Sequence, residues 1–123
     1  MDFKIKDRIE HETVVLTVAY GYGEDTRTKL SQEMVQRYRT LRAQKGASKS
    51  CIVEIQSEVA GSAIVRALFD LWKEVADKEK DQLICVNYPR DYIGSLNAIG
   101  LTTLRGFSLA ESVEEALRQL RKI

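Results

Sequence analysis

Glu54–Trp72 reads EIQSEVAGSAIVRALFDLW, and its periodicity changes midway. The run that leads into it, CIVEIQ (Cys51–Gln56), is apolar and rich in β-branched residues, which predicts a buried strand. Beyond Ala63 the apolar residues recur at helical spacing. Ile64, Leu68, Leu71 and Val75 fall on one stripe at about 100° per residue, which predicts a helix over about Ala63–Asp77 with that stripe against a sheet. Between the two lies SEVAGS (Ser57–Ser62), a short polar turn. A strand, a tight turn and an amphipathic helix make half of a βαβ crossover, so the class is α/β with parallel strand pairs.

The flanking sequence extends this pattern in both directions. FKIKDRI (Phe3–Ile9) alternates Phe3, Ile5 and Ile9 with Lys4, Lys6 and Arg8, which predicts an edge strand with one face buried and Asp7 as the exception. EHE (Glu10–Glu12) is a polar turn, and TVVLTVA (Thr13–Ala19) reads as a central strand, so the pair forms an antiparallel hairpin. After the glycine-rich YGYGED (Tyr20–Asp25), a helix over about Thr26–Lys45 puts Leu30, Met34, Tyr38 and Leu41 on one face. Its other face carries Arg27, Lys29, Glu33, Arg37, Arg39 and Arg42, and Gly46 suits the left-handed cap. QLICVNY (Gln82–Tyr88) is a further strand. PRDYIGSLNAIG (Pro89–Gly100) is a short helix with proline in its first turn. TTLRGF (Thr102–Phe107) reads as the last strand. SVEEALRQLRK (Ser112–Lys122) is a final helix with Val113, Ala116, Leu117 and Leu120 on one face and a Ser112/Glu115 capping box. The order is β-β-α-β-α-β-α-β-α, a mixed, mostly parallel five-stranded sheet with packed helices, expected as one domain over residues 1–123.

Composition narrows the function. Of 123 residues, 44% are hydrophobic and 30% charged, which fits a soluble globular domain. Lys plus Arg is 19 against 18 Asp plus Glu, a net charge of +1, and this argues against a dedicated binder of nucleic acid or anionic membrane. No run approaches the roughly 20 apolar residues of a membrane span. MDFKIKDRIE carries no apolar signal region, so a cytoplasmic location is expected. Cys51 and Cys85 lie inside strands and read as small buried hydrophobes in a reducing compartment.

The inventory of reactive groups is thin. The single histidine, His11, sits between Glu10 and Glu12 in a turn, and no set of residues reaches a metal's ligand count. YGYGED lacks both the dinucleotide fingerprint and a phosphate-loop lysine, so no cofactor is expected; its Tyr20 and Tyr22 offer rings for stacking on a ligand, but tyrosines at strand ends usually pack. Any active site of this fold lies at the carboxyl ends of the parallel strands, where the candidates are Gln56, Ser57, Glu58, Ser62, Asn87 and Arg90. Glu58 has the chemistry of a general base, but nothing pairs or desolvates it. The chain reads as a non-enzyme. One flank of the second helix is also apolar: Val65, Phe69 and Trp72 lie beside the core stripe, opposite Arg66, Asp70, Lys73, Glu74 and Asp77. That flank either packs on the first or third helix, or offers an apolar docking strip beside Ser62 with Trp72 as its main anchor.

The order of elements, and above all LNAIGLTTLRGFSLAESVEEALRQL (Leu96–Leu120), resembles the STAS domain family, which includes bacterial anti-sigma factor antagonists. The most specific part is the short helix ending at Gly100-Leu101, the short strand and the ESVEEAL opening of the last helix. In that family a loop of the form Asp-Ser-x-Gly opens the second helix, and a partner kinase, itself the anti-sigma factor, phosphorylates its serine. Aligned from the helix side, Ser62 takes the serine's place, with Ala60 at the aspartate, Gly61 between them and Ala63 at the glycine. Ser57 is the alternative acceptor, and Glu54 stands where many members have an aspartate.

Apart from any resemblance, Ser62 is well placed as a helix cap, worth about 1 kcal/mol against alanine. The same position tolerates a phosphate of charge about −1.5 to −2, because free amides and the helix dipole face it. The expected function is a protein-interaction module that binds its partner through the serine turn and the start of the second helix, with Ser57, Glu58, Ser62, Val65, Arg66 and Phe69 as the contact set; the resemblance implies a serine-kinase anti-sigma factor as that partner and phosphorylation of Ser62 as the switch. A second copy of the chain is a further candidate partner. The alternatives are an unphosphorylated adaptor of a signalling or transporter complex, and a small nucleotide-binding domain or enzyme.

Overall fold

A computed structural model describes residues 3–20, 26–44, 46–47, 49–57, 62–75 and 81–121, with backbone alone at 26, 27, 62 and 95. The strands are β1 (Phe3–Glu10), β2 (Thr13–Tyr20), β3 (Cys51–Ile55), β4 (Leu83–Val86) and β5 (Phe107–Ala110). The helices are α1 (Thr26–Arg42), α2 (Ser62–Val75), α3 (Ile93–Ala98) and α4 (Val113–Arg121). Strand order in the sheet follows chain order, β1-β2-β3-β4-β5. The hairpin β1–β2 is antiparallel, with Ile5 opposite Val18, and every later pair is parallel.

Each face of the sheet has its own core. On one face Val14, Leu16, Val18, Cys51, Val53, Ile55, Leu83 and Cys85 pack under Leu30, Met34 and Tyr38 of α1. Ile64, Leu68, Leu71 and Val75 of α2, and Leu96 of α3, complete that layer. The stripes that decided α1 and α2 in sequence are therefore the buried faces, and each fully buried Leu or Ile contributes about 1.5–3 kcal/mol. On the other face Val15, Ile52, Ile84, Val86 and Ala110 meet Val113, Ala116 and Leu117 of α4. Connections thus leave β2, β3 and β4 toward one face, and the chain leaves β5 toward the other.

Asp7, the exception in β1, ion-pairs with Arg37 of α1 at 2.6 Å, and Arg37 also meets Glu33 at 2.9 Å. Cys51 and Cys85 are free thiols with no exposure, and burial pushes both thiols well above their ordinary range.

Local detail departs from the sequence reading in four places. TTLRGF is not the last strand: Leu101–Thr103 is a 3-10 turn, and the strand begins at Phe107. Left-handed Gly100 (φ 79°) and Gly106 (φ 83°) bracket that segment, and the Thr103 amide and hydroxyl both donate to Gly100 O, at 3.1 and 2.7 Å. The backbone of Thr102–Arg105 is thereby turned away from a ladder, while Gly106 O accepts from the Leu83 amide at 2.7 Å and Phe107 pairs with Leu83. α1 ends at Arg42, three residues short, with Gly46 left-handed (φ 87°) beyond a further turn. Pro89 caps a 3-10 turn, Arg90–Tyr92, that runs into α3. In the capping box, the Glu115 amide donates to Ser112 Oγ at 3.1 Å, but the Glu115 carboxylate accepts from the Glu111 amide, 3.3 Å, in place of the Ser112 amide.

Candidate partner-binding site

The carboxyl ends of β2, β3, β4 and β5 converge on one edge of the sheet, and three residues tie them together. The Gln56 amide continues the β3 ladder onto Val18 O at 2.8 Å. One residue on, the Ser57 hydroxyl accepts from the Tyr20 amide at 2.9 Å and donates to Tyr20 O at 3.0 Å. Asn87 adopts a left-handed backbone (φ 61°), which asparagine tolerates better than most residues. That conformation lets its amide donate to Ala110 O at 3.1 Å while Nδ2 donates to Ile55 O at 3.0 Å. Ser57 and Asn87, both picked out by their position at strand ends, are thus held by backbone contacts there.

α2 begins at Ser62 itself, so this residue opens the first turn of the helix. Its side chain, and Glu58, Ala60 and Gly61, lie outside the described residues. Helical spacing puts Ser62, Val65, Arg66 and Phe69 on one face. Val65 is half-buried against the core, Arg66 is exposed, and Phe69 is 39% exposed. The Phe69 ring stacks on Trp72 at 6.0 Å between centroids, with the Lys73 ammonium 5.0 Å from its centre. Trp72 Nε1 donates to Arg105 O at 2.8 Å. The apolar flank is therefore divided. Trp72 is committed to the chain's own turn before β5, and Phe69 presents its ring to solvent.

α1 packs on the polar side of α2, away from that flank. Ser31 Oγ donates to Asp70 Oδ2 at 2.6 Å, and Arg39 pairs with Glu74. Asp70 also stands 3.7 Å from Arg66 and 3.4 Å from Lys73, so it is the shared anion for two cations. With side-chain exposures of 54% and 56%, Arg66 and Lys73 give the surface around Phe69 a positive character.

Two features went unread in sequence. On the α4 side of the sheet, Arg8 donates to Thr17 Oγ1 at 3.2 Å and buried Thr17 donates to Glu54 Oε1 at 3.1 Å, a polar chain across β1, β2 and β3. It is a cross-strand feature, so only the register reveals it. An open groove of about 870 Å3 lies at the ends of β4 and β5, with Asn87, Arg90, Ile93, Leu109, Glu111 and Glu115 in its lining. Misplacing β5 at Thr102–Phe107 hid Leu109 and Glu111 from the list of strand-end residues. Among the described residues, no group of three or more His, Cys, Asp or Glu is placed to hold a metal ion. No helix among them is long and apolar enough to cross a membrane.

No family model matches the chain, and no curated protein matches it significantly. Its fold is similar to that of a solved anti-sigma-factor antagonist (STAS) domain protein from Planctomyces limnophilus. The TM-score is 0.73 at 13% sequence identity, over 95% of this chain and 97% of that one. At that identity the likeness is one of fold, and the fold of this chain is STAS-like.

Proposed function

We propose that this STAS-like domain is a cytoplasmic, non-enzymatic interaction module of the anti-sigma factor antagonist type. It docks a serine-kinase anti-sigma factor through the β3–α2 corner, with Ser57, Glu58, Ser62, Val65, Arg66 and Phe69 as the contact set. The observation that carries this reading is Phe69, exposed at 39% on the helix face that register shares with Ser62 and Arg66. Protein interfaces are enriched in aromatic residues, phenylalanine among them, and in arginine, and this face carries one of each.

Ser62 is the proposed phosphorylation acceptor, since the hydroxyl of the alternative, Ser57, already serves both backbone groups of Tyr20. A phosphate at the α2 N-terminus meets free amides and the positive end of the helix dipole, so the fold accepts it. A partner seated on the same corner must desolvate that charge, so affinity falls while stability holds. The second reading, an unphosphorylated adaptor, is favoured by Ala60 at the place of the family's aspartate.

A photoreactive phenylalanine analogue at position 69, crosslinked in the source cells, identifies the partner. Calorimetry with the purified partner then compares the wild type with Ser62→Asp. The expected result is a loss of affinity of at least tenfold at an unchanged melting temperature. Intact-mass measurement after incubation with the partner and ATP separates the two readings: a phosphate adduct supports the switch, and its absence supports the adaptor.

A further inference from the structure

We propose a second binding site, for a small organic cation, in the groove between α3 and α4: an amine or guanidinium carried on a short apolar body. The argument begins with topology. β4 and β5 are parallel neighbours, yet the chain leaves β4 toward the face covered by α1 and α2 and leaves β5 toward the face covered by α4. Where adjacent parallel strands send their connections to opposite faces, the sheet edge opens into a crevice, the usual ligand position of open α/β sheets. The groove of about 870 Å3 lies at that point and falls within the roughly 300–1,000 Å3 of small-molecule sites.

The lining selects the charge. Two carboxylates, Glu111 and Glu115, face one guanidinium, Arg90. Glu115 is held in place, accepting from the Glu111 amide at 3.3 Å and from Gln119 Nε2 at 3.5 Å. Glu111 is 82% exposed and meets Arg90 at 3.6 Å, a loose pair that an incoming cation displaces at little cost. Asn87 spends Nδ2 on Ile55 O, which leaves Oδ1 as that side chain's acceptor. Ile93 and Leu109 pack on the core and give the groove an apolar floor. An anion here meets two carboxylates; a cation completes them. The site is separate from the corner at Phe69, none of whose contact residues lines it.

The test is a titration of the 15N-labelled full chain with agmatine, an amine and a guanidinium on a butyl chain, with glutarate as the anionic control. The expected result is saturable shifts at the amides of Asn87, Arg90, Ile93, Leu109 and Glu111, absent with glutarate. Glu111→Gln weakens agmatine binding about two- to fivefold, the scale of one exposed ion pair. Arg90→Gln strengthens it, and Glu114→Gln, outside the groove lining, leaves it unchanged. Glu111 is exposed, so its variant keeps the fold even if the better-fixed Glu115→Gln frays α4. Unsaturable shifts, shifts spread over other acidic surfaces, or equal effects of Glu111→Gln and Glu114→Gln overturn the proposal.

Discussion

The Ser57 hydroxyl closes the end of the sheet on Tyr20, accepting a hydrogen bond from the Tyr20 amide at 2.9 Å and donating one to the Tyr20 carbonyl at 3.0 Å. One small side chain thereby satisfies two backbone groups where the β2–β3 ladder stops. Ser57→Ala removes both bonds and leaves two polar groups to find water. The expected cost is about 1–2 kcal/mol, read as a lowered midpoint in urea with an unchanged slope. A variant as stable as the wild type means that water replaces the hydroxyl freely.

The face of α2 that docks and the face that folds are separable by mutation. Leu68 is fully buried, and Leu68→Ala costs about 2–5 kcal/mol through the cavity it leaves. Phe69→Ala removes a ring that is 39% exposed; it is expected to cost under about 1 kcal/mol while partner affinity falls tenfold or more. Thermal unfolding and calorimetry on the same two variants check the contrast. Equal loss of stability in both identifies Phe69 as core.

The β1–β2 turn carries backbone strain. His11 (φ 50°) and Glu12 (φ 67°) are both left-handed, the two-residue geometry that hairpins favour but that asparagine and glycine fill at lower cost. Both side chains are exposed, so nothing in the core depends on them. Glu12→Gly, or the pair His11→Asn with Glu12→Gly, is expected to raise stability by about 1 kcal/mol, near 3–5 °C in Tm. A fall in Tm refutes this account of the turn.

Alkaline pH is expected to destabilise the domain through three buried acids, Cys51, Cys85 and Tyr38. Burial pushes Cys51, Cys85 and Tyr38 upward from their ordinary values, so the native state keeps protons that the unfolded chain gives up. For groups raised in this way the stabilisation is complete below the unfolded pKa and drains away above it, from about pH 8.5 for the thiols and about pH 10 for the phenol. Tm is therefore flat through neutrality and falls above pH 8.5, and Cys51→Ala/Cys85→Ala flattens the thiol part of that fall. In the wild type, both thiols resist a disulfide reagent until denaturant is added, since neither has exposed surface.

Residue order alone determined the layers. The stripe Ile64, Leu68, Leu71 and Val75, the stripe Leu30, Met34 and Tyr38, and Val113, Ala116 and Leu117 are buried as their spacing predicts, with Leu41 and Leu120, the last members of their stripes, partly buried, because a helix repeats every 3.6 residues and can bury only one face. The hairpin and the mixed, mostly parallel sheet follow from the order of strands and helices along the chain; the strand order within the sheet is read from the structure. Tertiary structure decided what no local period encodes. It set β5 at Phe107–Ala110, because two left-handed glycines turn the Thr102–Gly106 segment and the ladder to Leu83 selects the rest. It joined Ser57 to Tyr20 and Asn87 to Ile55, contacts 37 and 32 residues apart in the chain. It also divided the apolar flank of α2, giving Trp72 to the Arg105 carbonyl and leaving Phe69 outside. Hydrophobic spacing specifies which face is buried; which polar atom meets which depends on register and crossover direction, and these exist only once the sheet is assembled.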